Sequence, residues 1–140
     1  MNNLDSKKKH EDLSNVDREL FFASSDEKLR YMLRLLVFSK HTAYVDCQNR
    51  FGQTPIMWAA MSGKLKAMKL LLLFGAEPTT RDHSKLEMND HLRMNGYQSF
   101  KKELIPFYEN ISDRRAKTQE ILYAEMRREE KITSILQMIE

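Results

Sequence analysis

Apolar residues in the middle of the chain recur with a helical period, and two short helices can be read from them. Leu65, Met68, Leu71 and Leu72 stand at i, i+3, i+6 and i+7, which lays one buried stripe along a helix that Gly75 ends. Ahead of it, Thr54 is placed to cap a first helix. Pro55, with its preset φ and no N–H to satisfy, is placed to open it. Ala59 and Ala60 are small enough for neighbouring helices to approach closely, and Gly63 closes that helix in a left-handed conformation. Gly52 falls where a tight turn before the pair needs a residue without Cβ.

The pattern repeats on both sides with less fidelity. Upstream, residues 20–40 predict another helix pair, with Ser24 and Glu27 as a capping box at the join and Leu29, Met32, Leu33 and Leu36 as the apolar stripe. Ala23, Leu29, Met32, Leu35 and Leu36 align with Ala59, Leu65, Met68, Leu71 and Leu72, through a longer connection over residues 41–44. Downstream, Asp82 aligns with Asn49, Gly96 with Gly63, Phe100 with Ala67 and Leu104 with Leu71. There Thr54-Pro55 becomes Glu87-Met88 and Ala59-Ala60 becomes Leu92-Arg93, so the small-residue seam is lost.

Residues 45–82 resemble one nearly complete ankyrin repeat. Asn49 and Gly52 in the turn, Thr54-Pro55-Ile56, Ala59-Ala60, Ser62-Gly63, Leu70-Leu71-Leu72 and Gly75-Ala76 carry the likeness. A single repeat buries its apolar face only against neighbours, so about three are expected. The resemblance therefore implies an all-α fold, a short ankyrin-repeat solenoid of helix-turn-helix units over residues 17–105, after a flexible tail at 1–16. It also implies that Trp58, where the family buries an aliphatic residue, is core. Met57 replaces a common histidine and removes a side-chain hydrogen bond to the turn.

Beyond the repeats, Pro106 is expected to break the last outer helix, with a linker and one long amphipathic helix filling residues 106–140. Ser112 offers the cap. Ile121, Leu122, Met126, Ile132, Ile135, Leu136 and Ile139 spread over half the helical circumference, interrupted by Glu125 and Glu129. Three repeats have little surface to cover so long a helix, so its distal patch at 132–139 is expected to dock on another chain.

Charged residues make up 31% of the 140 positions and mean hydropathy is −0.60, and no apolar run approaches the ~20 residues of a membrane span. Residues 1–15 are polar and carry Asp5, Glu11 and Asp12, unlike a signal or transit peptide. Cys47 is alone, which excludes an internal disulfide and suits a reducing compartment, so an intracellular, cytoplasmic site is expected. The net charge of +3 is unevenly spread: residues 21–80 hold eight basic against four acidic side chains. Lys64, Lys66 and Lys69, and Arg30 and Arg34 one repeat earlier, are read as a solvated basic face. No zinc-finger spacing, aromatic RNA-binding motif or arginine-rich run supports nucleic acid.

No catalytic constellation emerges. His10, His41, His83 and His91 include no i, i+4 pair, so no metal is expected. There is no phosphate-cradling glycine loop and no sign of a cofactor. Cys47 with His41 is a formal nucleophile and base, but Cys47 stands where the family has a small residue leading into the turn. The resemblance implies a non-enzymatic protein-protein interaction module. Its partner-binding positions carry over as Arg50, Phe51 and Gln53 at one turn, Met61 and Ser62 on the first helix, Thr80, then His83 and Met94 one repeat on. Ile132, Leu136 and Ile139 join them for the tail. An aromatic and a pliable thioether beside an arginine have the composition of an interface anchor. The alternative is a structural subunit of a larger multiprotein assembly, anchored by the C-terminal helix.

Overall fold

Pro55 opens a helix as its fixed φ dictates, and that helix is the middle one of three standing in a row. In the computed structural model, which describes residues 13–140, the described chain forms helices and no strand. The expected tail at 1–16 lies almost wholly outside the described residues. The first inner helix, α1, spans Asn15–Ser25 and is capped by Ser14, whose hydroxyl accepts from the Asp17 N–H at 3.1 Å. Its outer partner α2 spans Leu29–Leu33 and widens into a π-helical turn over Arg34–Phe38. The second pair is α3, Pro55–Met61, and α4, Leu65–Leu73. The third is α5, Met88–Met94, and α6, Lys101–Glu109, joined by a 3₁₀ turn at Gln98–Phe100.

Inner helices pack on inner helices, α1 on α3 and α3 on α5, while α4 sits between α2 and α6 in the outer row. Leu20, Met32, Leu33, Ile56, Met57, Ala59, Ala60, Ala67, Met68, Leu70 to Leu72 and Leu92 are buried between the rows. The alanine seam is thus the place where the inner helices meet. Register is visible in the hydrogen bonds. Asn49 Oδ1 accepts from the N–H groups of Phe51 and Gln53 at 2.9 and 3.0 Å, and Asp82 Oδ1 accepts from Ser84 and Leu86 at 2.9 and 3.0 Å. The two turns share one plan.

Several local expectations are corrected. Ser24 and Glu27 do not form a capping box. Ser24 lies buried in the last turn of α1, and Glu27 takes a left-handed φ of 56°. Its carboxylate instead accepts from the N–H groups of Lys66 and Ala67 at 3.0 and 3.2 Å, so the first repeat caps the outer helix of the second. Thr54 has the extended backbone of a cap, but its hydroxyl is buried without a partner among the described residues. Lys69 is not on a solvated face: it is 6% exposed, with Nζ 3.3 Å from Glu103 and over the Phe107 ring. Pro106 does not end α6. The bond it withholds belongs to the carbonyl of exposed Lys102, where water can replace it.

The largest correction concerns the C-terminal region. It is two helices, α7 at Ile111–Tyr123 and α8 at Arg128–Gln137, with an extended break at Ala124 and Arg127. Helix α7 packs on α6 and α4, where Arg115 Nε donates to the Leu72 carbonyl at 3.0 Å, and α8 turns back onto α7 and reaches α2. The distal patch therefore does not face outward. Ile132, Ile135 and Ile139 are buried in the core shared with the repeats, and Leu136 is half-buried against it. The break divides the apolar residues between two helices, so each needs only a narrow stripe, and together they cover the outer row. Among the described residues, no helix is long and apolar enough to cross a membrane.

Candidate interaction surface

Helices α1, α3 and α5 present equivalent positions side by side, and the repeat register identifies them. Phe22, Trp58 and His91 occupy one such row. Phe22 is 60% exposed, Trp58 is half-buried, and His91 is buried. Trp58 is thus not the core residue expected of it; Met57, at 1% exposure, takes that role. The Trp58 ring meets Phe21 and Phe22 edge-on, at centroid distances of 5.0 and 5.7 Å. Its indole N–H donates to Gln53 Oε1 at 3.0 Å, and the same oxygen accepts from Asn49 Nδ2 at 3.0 Å. The turn and the inner helix are therefore one braced unit.

That turn carries Arg50 and Phe51. Phe51 is 56% exposed, with the Arg50 guanidinium 5.2 Å from its ring centroid, so it projects outward instead of covering the repeat. Its carbonyl accepts from the His83 N–H at 3.0 Å, which ties the exposed His83 turn to it. Met61 and Ser62 are half-buried at the end of α3, where Ser62 Oγ lies 2.7 Å from Ser25 Oγ on α1. Met94, 62% exposed, extends the apolar surface onto α5, and Thr80 is half-buried between the turns. Arg50, Phe51, Gln53 and His83 are brought together. Ile132 and Leu136, on the helix that packs against the outer row, and Ile139 just past its end sit apart from them. Phe22 was missed by sequence reasoning; its signal was its register with Trp58.

Asp82 and His91 close the third repeat from inside. Asp82 Oδ2 lies 2.8 Å from His91 Nε2, and both side chains are buried. Burial works to raise the Asp82 pKa, but the Leu86 N–H, His91 and the Ser84 N–H outweigh it and hold the carboxyl below its ordinary 3.8. A depressed carboxylate contributes stability that is present above that ordinary value and is lost as pH falls through the folded one. Asp82→Asn keeps an acceptor for both turn N–H groups, as Asn49 does natively, and removes the titration. Urea unfolding at pH 7 and pH 3 is expected to show a smaller acid loss in this variant than in the wild type. An equal loss in both would assign the acid sensitivity elsewhere.

Comparison with known proteins agrees with the three-unit register. A family model for ankyrin repeats in three copies matches residues 14–90, more than half of the 140. The chain belongs to the ankyrin repeat family. The ankyrin repeat is an interaction fold that holds protein partners, and the matched span runs from the cap of α1 into α5. Among curated proteins it is similar to the ARF GTPase-activating protein GIT2 of Mus musculus, 28% identical over 101 residues, covering 72% of this chain and 14% of that protein. The Homo sapiens protein of the same name is 27% identical over 101 residues, covering 72% of this chain and 13% of that protein. The chain thus spans about a seventh of the length of the curated relatives it matches.

Proposed function

We propose that this ankyrin protein is a binding module without catalytic activity, and that it holds a protein partner on the inner-helix and turn face. The observation that carries this reading is the aromatic row: exposed Phe22 and half-buried Trp58 in edge contact on adjacent inner helices, beside the projecting Arg50–Phe51 turn. Aromatic, arginine and methionine side chains are enriched at interface cores, and a braced scaffold presents them with little backbone ordering left to do on binding. Arg50, Phe51, Gln53, Met61, Ser62, Thr80, His83 and Met94 frame that face. The C-terminal helices lie on the outer row, and this favours the module over an assembly subunit anchored by its tail.

The test is affinity purification with the full chain and with Phe22→Ala and Phe51→Ala. Both side chains are more than half exposed, so both variants keep the fold. The expected result is a protein retained by the wild type and lost from each variant, with about tenfold or greater weakening per anchor. Retention by both variants, with loss on substituting exposed Tyr123 of α7, would move the contact to the tail and overturn the reading.

A further inference from the structure

A second site forms where α8 returns to the first repeat, on the outer-helix side and away from the aromatic row. Arg30, Tyr31, Arg34, Phe38, Arg128 and Ile132 line a cleft of about 320 Å³ there. Its floor is apolar, from Tyr31, Phe38 and Ile132, and its rim carries three guanidinium groups. Three acidic groups of the neighbouring elements are already engaged. Glu19 of α1 accepts from the Tyr31 hydroxyl at 2.5 Å, Glu129 pairs with Arg30, and Glu130 pairs with Arg127 at 3.1 Å. Arg34 and Arg128 have no carboxylate partner among the described residues. Arg128 lies over the Phe38 ring at 5.1 Å and donates to the Phe38 carbonyl at 3.4 Å. The π-helical turn at Arg34–Phe38 is the irregular segment of α2, and such turns concentrate at functional sites.

We propose that this cleft binds an acidic peptide segment of a protein partner: a carboxylate clamped by Arg34 and Arg128, with an adjoining apolar side chain on the Tyr31–Phe38–Ile132 floor. Guanidinium forks match a carboxylate in two-point geometry. A nucleic acid fits less well. It needs a run of cations for successive phosphates, whereas the cleft offers two guanidinium groups without a carboxylate partner, enough for one carboxylate. The site exists only while α8 is docked, because Arg128 and Ile132 come from that helix.

The test is an NMR titration of the full isotope-labelled chain with an N-acetylated Asp-Phe-Asp amide, with parallel arms using inorganic phosphate and an oligothymidylate. The peptide is expected to saturate shifts of the Arg34 and Arg128 side-chain N–H groups and the Ile132 methyls, with half-saturation at about 1 mM or below. Arg34→Gln, exposed and without an ion partner, leaves the fold intact and is expected to weaken the peptide about tenfold. Phe22→Ala is expected to leave it unchanged, which separates this site from the inner-helix face. Absence of saturable shifts, tighter binding of phosphate or oligothymidylate than of peptide, or an Arg34→Gln titration identical to the wild type would each overturn the proposal.

Discussion

Ile135→Ala is expected to lower the unfolding free energy of the isolated chain by about 2–5 kcal/mol, the range for an aliphatic side chain removed from a packed interior. Ile135 is fully buried in α8, in one cluster with the leucines of the repeats, and Ile132 and Ile139 flank it at 7% and 1% exposure. Its partners belong to the same chain, so no second protein is needed for the effect. Trp58 is the single tryptophan and stands on the inner row, remote in sequence from the substitution, so its fluorescence reports on the repeats. Because α8 reaches α2, the fluorescence and far-UV circular dichroism transitions are expected to shift together to lower urea. An unchanged fluorescence midpoint would mean that α8 is not part of the repeats' cooperative unit. The same covering shields the outer row of the three repeats, two of them irregular.

The middle repeat was legible because each of its signals is local. A proline at the first helical position, two alanines and a stripe at i, i+3, i+6 and i+7 act within a few residues, and all of them operate as the pattern implies. The outer repeats were legible through register, which also aligns Asp82 with Asn49 in hydrogen bonding and not merely in spacing. The tail was not legible, because the break between α7 and α8 contains neither glycine nor proline. The half-circumference spread of its apolar residues was the physical sign that one straight helix did not fit. Lys69 misled for a similar reason: an outer-helix lysine is solvated until another helix covers it, and here α6 does, bringing Glu103 and Phe107. In the candidate surface, the turn residues followed from the family pattern. The half-buried placement of Trp58 did not, because it depends on an aromatic neighbour 36 positions away.

Gly63→Ala is expected to destabilise far more than Gly96→Ala, although both glycines close an inner helix at equivalent positions. Their φ angles are +69° and +85°, so an added Cβ imposes a similar backbone cost in each, about 1 kcal/mol. The surroundings differ. A Cβ on Gly63 would lie 2.4 to 2.7 Å from three ring atoms of Tyr97, whereas Gly96 has nothing within 4 Å. The Tyr97 ring is stacked on Phe100 at 5.4 Å, so it cannot yield without disturbing the entry to α6. Overpacking of this kind adds about 1–3 kcal/mol, which puts Gly63→Ala at roughly 2–4 kcal/mol in total. Glu27 shows that a side chain is admissible at this register position where space allows: it holds φ 56°, and its carboxylate serves as the cap for α4. The excess is therefore assigned to Tyr97, and a double-mutant cycle checks the assignment. With Tyr97→Ala as background, Gly63→Ala should cost no more than Gly96→Ala does in the wild type. If the excess persisted without the ring, the strain would lie in the backbone of α3 and its turn, and the packing of the third repeat onto the second would not be its source.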